Sequence, residues 1–365
     1  MNKAIFKAAL YLIFVFPCYA NKQILAMPIQ DKLQEARDYL SVLPERSLAI
    51  LSNQNHLLNI DSRETLADWY DAKLIAAIRV ANLQQIYLTL LEISELQNTA
   101  FFQEHSSTTF NGIGIWMRRS GFLKQAKISY ACSLENSKTE RAKISPMLNL
   151  GIVETKLGNN ARAKQLYNLA FNTAEKYEME NIFAVVENSL GNIALSEGNY
   201  PEAERLYASA LERNEKLMRR SGELTSGLNL LLSFLYQDKL DLFTRLSGRI
   251  ERKLKRSEIG IKTATFEILK AVYTARIDEA ATSDLTEVIA RNMKMIKDKS
   301  LQKLLSDLIG VYGLAWDDKI IEGNQAQRDH LQARYPSCDW EKFSDENYIS
   351  VLISQFDQTQ ALKEN

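Results

Sequence analysis

Asn188-Ser189-Leu190-Gly191-Asn192-Ile193-Ala194-Leu195-Ser196-Glu197-Gly198-Asn199-Tyr200-Pro201-Glu202-Ala203 places two glycines seven residues apart in a chain that holds only 14. Tyr207 follows Ala203 by four residues and Ala210 follows Tyr207 by three. The same spacing occurs upstream as Gly151, Gly158, Ala163, Tyr167 and Ala170, and before that as Gly114, Gly121, Ala126, Tyr130 and Ser133. The copies follow one another at intervals of 37 and 40 residues, so the segment is a tandem repeat.

The spacing predicts a helical hairpin. A glycine inside a helix costs about 1 kcal/mol relative to alanine, so the first glycine implies close approach of a second helix. The second glycine suits the left-handed residue that ends a helix, and Asn159 or Asn199 after it suits the turn. Ala, Tyr and the small residue then fall at i, i+4 and i+7, on one face of the second helix. Each hairpin leaves apolar surface that only a neighbour can cover, which makes a stack.

This pattern resembles the tetratricopeptide repeat family. Asn188 to Leu211 is the best match, Asn149-Leu150-Gly151 to Ala170-Phe171 the next, and Ile113-Gly114 to Tyr130 a weaker one, with Ser133 in place of the usual alanine. A degenerate fourth copy follows from Asn229-Leu230 to Lys239-Leu240, with Phe243 where the small alanine belongs. That bulk implies a changed helix angle or a capping unit. The resemblance covers about residues 107 to 215, under a third of the chain. It implies an all-α, right-handed α-solenoid of helical hairpins that binds other proteins in its concave groove.

The flanks also carry helical spacing: Asp31 to Leu43, Pro44 to Leu51, Leu66 to Ala81, Leu83 to Leu96, Ile261 to Ile277, Leu285 to Ile296 and Leu301 to Trp316. The organisation expected is a signal segment at 1–20, a lead-in at 21–30, and degenerate hairpins at 31–106. Repeats at 107–250 and a C-terminal helical region at 251–365 follow. The last fifty residues, with Pro336, Cys338 and Trp340, are expected to cover the final apolar face of the stack.

Lys3 and Lys7 precede the nine-residue apolar run Ala8 to Phe16, and Cys18-Tyr19-Ala20 suits a signal peptidase. The expectation is cleavage after Ala20 and a periplasmic or secreted chain with no later membrane span. An uncleaved anchor is the other reading. Export permits disulfides, and the mature chain has two cysteines, Cys132 and Cys338, 206 residues apart. A buried free thiol on an apolar helix face is the favoured reading of Cys132, because a bridge needs the C-terminal region to fold back onto the middle.

With 45 basic and 45 acidic residues the formal charge is zero, which provides no large field for nucleic acid. The basic run Arg249 to Arg256 reads as a solvated face. Composition is 46% apolar and 25% charged, with only 6 prolines, as for a globular chain of long helices. His56, His105 and His330 are too far apart for a zinc-helix motif, and no Cys-x-x-Cys, Gly-x-Ser-x-Gly or phosphate loop occurs. Gly112-Ile113-Gly114 reads as packing. The expectation is a non-enzyme with no cofactor and no metal.

The remaining candidate is the concave face lined by the first helix of each hairpin. Its expected groove residues are Asn111, Arg118 and Arg119 in one repeat, Ile152 and Lys156 in the next, and Asn188, Asn192 and Leu195 in the third. Leu148 and Ile115 lie along the same row, and Leu228, Leu232, Leu235 and Tyr236 do so in the fourth copy, which makes the groove amphipathic. An amide carries donor and acceptor together and matches the C=O and N–H of an extended peptide. Arg118 and Arg119 suit a carboxylate. The family's carboxylate clamp is matched only at Asn192, so a terminal-carboxylate clamp is not expected. The function expected is that of a non-catalytic scaffold or assembly factor of the bacterial cell envelope, holding a protein segment in the groove. The alternatives are a periplasmic peptide-sensing regulator acting on a membrane partner and a divergent enzyme around Trp316 to Trp340. Self-association through the solenoid ends stays open.

Overall fold

The computed structural model describes residues 28–58, 60, 62–255, 260–278, 282–296, 299–312, 324–345, 350–351 and 353–355. The signal and lead-in expected at the start fall almost wholly outside these residues, as does the end of the Leu301–Trp316 segment. Among the described residues the secondary structure is helical, with no strand.

Helices α1 (Ile29–Tyr39) and α2 (Pro44–Leu51) form a short hairpin, followed by the single turn α3 (Gln54–Leu57). Then come the pairs α4 (Arg63–Val80) and α5 (Leu83–Ser94), α6 (Ala100–Arg119) and α7 (Leu123–Glu135), and α8 (Glu140–Lys156) and α9 (Asn160–Lys176). They continue as α10 (Glu180–Ser196) and α11 (Tyr200–Lys216), α12 (Arg220–Tyr236) and α13 (Leu240–Leu254), and α14 (Gly260–Ile277) and α15 (Thr282–Met293). Helix α16 (Lys299–Val311) and the separate α17 (Gln325–Arg334) follow. The fold is an all-α solenoid of hairpins.

One closure recurs along it. The amide of Asn159 bonds Glu154 O at 2.8 Å and that of Asn199 bonds Ala194 O at 2.8 Å, each across a left-handed glycine, Gly158 (φ 84°) or Gly198 (φ 75°). This six-to-one bond satisfies carbonyls that a helix end leaves orphaned. The turns between hairpins use the same closure with Glu178 and Met218 in the left-handed position (φ 52°), and Asp238 (φ 54°) and Ala81 (φ 60°) do so within the α12–α13 and α4–α5 hairpins. Glycine therefore marks only part of the repeat that the backbone follows. After the turn, Asn199 caps α11 by accepting from Glu202 N, whereas Asn159 donates instead to Glu154 Oε2 at 2.7 Å.

The hairpin pairs interlock through the glycines. A Cβ on Gly114, Gly151 or Gly191 would lie 2.4, 2.6 or 2.6 Å from a ring carbon of Tyr130, Tyr167 or Tyr207. Gly112 meets Leu74 of α4 in the same way, at 2.8 Å, so the Gly112-Ile113-Gly114 stretch is indeed packing. In the fourth pair the positions of Gly191 and Tyr207 are taken by Leu231 and Ser247, forty residues on. The close approach moves one turn earlier, to Gly227 against Ile250, where a Cβ would lie 2.4 Å from Cδ1. Phe243 stacks on Tyr273 of the next hairpin, with centroids 4.6 Å apart. The extra bulk is thus absorbed by α14, and α12–α13 is an internal unit of the stack, not its cap.

The first helices of successive pairs, α6, α8, α10 and α12, pack more closely on one another than the second helices do. The layer of first helices is therefore concave and the layer of second helices convex. At the far end, Tyr312 beyond α16 donates to Leu235 O of α12 at 2.6 Å.

The C-terminal segment departs from expectation. Residues 324–345 do not lie on the last hairpin but return to the convex layer at α5 and α7. Leu331, Tyr335, Cys338 and Phe343 are buried in one core with the first hairpins. The ring of Tyr335 packs on Phe102 and Phe110 of α6, with centroids 6.1 and 6.2 Å away, and its hydroxyl donates to Leu90 O of α5. Cys338 is disulfide-bonded to Cys132 of α7, with Cα atoms 5.7 Å apart. The free-thiol reading of Cys132 is corrected: the chain does fold back, because the splayed convex helices leave an apolar gap that Tyr335 fills.

Candidate functional groove

The concave face is carried by α4, α6, α8, α10 and α12, and its polar side chains form two short amide ladders. Asn149 Nδ2 donates to Asn111 Oδ1 at 2.9 Å, and Asn111 Nδ2 donates to Ser145 Oγ at 3.4 Å. Two repeats on, Asn229 Nδ2 donates to Asn188 Oδ1 at 3.1 Å and to Asn192 Oδ1 at 3.4 Å. The Tyr207 hydroxyl donates to Asn192 Oδ1 at 2.8 Å. Burial holds the Tyr207 phenol far above its ordinary range, so it stays a neutral donor. That bond fixes which end of the Asn192 amide turns inward.

These contacts use both ends of the Asn111 amide and one end of each of the other four. Asn149 and Asn229 keep an acceptor oxygen, and Asn188 and Asn192 keep a donor NH2. Asn192 is exposed, and the other four asparagines are half-buried. Asp71 of α4 stands forty residues before Asn111. Burial raises the Asp71 carboxyl, against the opposing charges of His105 and Arg37.

The remaining expected residues fall into distinct places. Arg118 Nε reaches the Tyr130 hydroxyl at 3.4 Å, and Arg119 Nη1 donates to Ile78 O at the end of α4 at 3.0 Å. Arg79 bonds Leu40 O at 2.7 Å and Arg219 bonds Asn181 O at 3.0 Å, so a guanidinium on a carbonyl of the preceding hairpin is a recurring tie. Ile152 and Lys156 are half-buried on α8. Leu195 is 5% exposed and belongs to the core under the groove. Leu148, Ile115, Leu228, Leu232 and Leu235 are buried as well, so they do not line the surface as the spacing suggested. The groove is accordingly richer in amides and poorer in exposed aliphatic side chains than an amphipathic lining.

Asn149 and Asn229 were missed as site residues. Their signal was present, since each stands two residues before the position of the repeat glycine, Gly151 or its replacement Leu231. Among the described residues, no group of three His, Cys, Asp or Glu is placed to hold a metal ion. Among them also, no helix is long and apolar enough to cross a membrane.

No family model matches the chain, and no curated protein does. Among solved structures it is similar to a Rap protein in complex with Competence and Sporulation Factor, at 12% identity and a TM-score of 0.45. That similarity covers 90% of this chain and 98% of the other. It is also similar to the apo form of RapI, at 14% identity and a TM-score of 0.46, covering 85% of this chain and 86% of the other.

Proposed function

We propose that the chain binds an extended protein segment, without catalysis, along the concave face from α6 to α12. The observation that carries this is the set of leftover amide groups across α8, α10 and α12: an acceptor on Asn149, donors on Asn188 and Asn192, and an acceptor on Asn229. An extended backbone carries both N–H and C=O groups, so it can pair with the donors and with the acceptors of such a row. A binding mode that uses backbone groups sets affinity with little demand on sequence, and the half-buried Ile152 adds side-chain preference.

The compartment proposed is the cell envelope or the exterior, with the chain acting as a scaffold or assembly factor there. The signal-like start supports export, and the Cys132–Cys338 bond supports an oxidising compartment.

The test is selection of the mature chain against a randomised decapeptide library, wild type beside Asn188→Ala/Asn229→Ala. Enrichment by the wild type and a loss of about tenfold or more in the variant, with an unchanged melting curve, is expected. Equal enrichment by both proteins would remove the groove as the binding site.

A further inference from the structure

The strap formed by residues 324–345 spans the convex layer at the end of the stack that carries Asn111 and Asn149. Arg334 pairs with Glu95, just past α5, at 2.6 Å, and Lys342 pairs with Glu135 at the end of α7, also at 2.6 Å. Farther on, Ser350 accepts from Arg162 of α9 at 2.9 Å. Residues 324–345 thus touch two successive convex helices, and Ser350 touches a third. In a stack whose first helices touch and whose second helices splay, the inner contacts act as hinges. A member tied across the outside then sets how far each hinge opens.

Besides these ion pairs, Tyr87 Oη lies 2.9 Å from His330 Nδ1 of the strap, and Gln97 Nε2 donates to Arg334 O at 2.5 Å. The strap's buried side chains are Leu331, Tyr335, Cys338 and Phe343, while most of α17 is exposed or half-buried. It is also remote in sequence: 206 residues separate the bonded cysteines, so docking without the covalent bond must close a very long loop.

We propose that residues 324–345 are a thiol-controlled brace. With the Cys132–Cys338 bond closed, the strap fixes the spacing of α5 and α7. When a dithiol reduces the bond, the strap is released and the Asn111–Asn149 end of the concave face relaxes. In that step the dithiol supplies two electrons and two protons, closing its own disulfide while Cys132 and Cys338 become thiols. Both sulfurs belong to buried residues, 1% and 2% exposed, so attack follows a local opening of the strap. The consequence for a ligand rests on the groove reading above, whereas the brace itself does not.

Hydrogen exchange read by mass spectrometry, with small-angle scattering, tests this on the full chain without any ligand. The oxidised protein is compared with the same protein under dithiothreitol and with Cys338→Ser. Release predicts exchange about tenfold faster or more in residues 324–345 and in the helices they touch. It also predicts faster exchange in α6 and α8, unchanged exchange in α10 to α13, and a larger radius of gyration. Unchanged exchange in the strap after reduction overturns thiol control. A freed strap with α6, α8 and the radius of gyration unmoved overturns the brace. If Cys338→Ser fails to fold, Tyr335→Ala with the disulfide intact replaces it: the same regional acceleration is expected, and its absence overturns the brace. A chain whose strap is released as predicted but which selects no peptide leaves the brace standing and removes only the groove reading.

Discussion

Tyr207 occupies the space that a side chain on Gly191 would need: a Cβ there would lie 2.6 Å from the ring's Cε1. The tyrosine in turn holds Asn192 through its hydroxyl. One packing contact between two helices thus orients one of the amides on the concave face, which links the repeat spacing in the sequence to the chemistry of the groove.

The first prediction concerns that contact. Gly191→Ala forces the buried Tyr207 ring to move and is expected to destabilise the chain by about 1–3 kcal/mol, as overpacking does. Gly191→Ala combined with Tyr207→Leu should recover part of the loss, because leucine lacks the ring carbons that clash. Urea denaturation followed by helical circular dichroism measures both. A single variant as stable as wild type would mean that the ring yields freely.

The turns give a second prediction of opposite sign at two kinds of site. Gly158 and Gly198 are left-handed with open space around them, so alanine there costs backbone strain alone, about 1 kcal/mol. Met218 has φ 52° and is 86% exposed, so its side chain contributes little packing to offset the same strain. Met218→Gly should therefore be neutral or stabilising by up to about 1 kcal/mol. A Met218→Gly variant that melts well below wild type would contradict this account of the turns.

A third prediction follows from Lys262 of α14, whose Nζ donates to Ser221 O and, at 2.9 Å, to Ser221 Oγ. Burial lowers its pKa from 10.5 to about 8. The folded chain thus resists protonation here, and between about pH 8 and 10.5 the unfolded state binds more protons. Stability from this group rises with pH across that window, and the penalty is fully present below it. Urea titrations should show a gain on the order of 2 kcal/mol through the window, and Lys262→Met should flatten the slope. A slope of equal size in both proteins would assign it to other groups.

Local spacing made the repeat legible. Gly114, Gly151 and Gly191 with their tyrosines mark close helix approach, and that pattern depends on residues within a few turns of one another. The turns at Glu178, Met218 and Asp238 were not legible, because a left-handed residue imposed by the neighbouring helices need not be glycine. The Cys132–Cys338 bond was not legible either: no spacing rule relates residues so far apart, and only the docked Tyr335 explains why the strap returns to α5 and α7. Asn188 and Asn192 stood out by chemistry. The burial of Leu195, Leu228 and Leu232 did not, since periodicity reports the face of a helix but not how deeply the next repeat covers it.

Recognition of a peptide backbone by the amides of Asn149, Asn188, Asn192 and Asn229 is open to test on the backbone itself. The most direct measurement is calorimetric affinity for a library-selected peptide and for versions of it methylated at single backbone nitrogens. Methylation at alternate positions is expected to weaken binding about tenfold or more each, while replacing the side chain at those same positions costs less. Uniform tolerance of backbone methylation would contradict it.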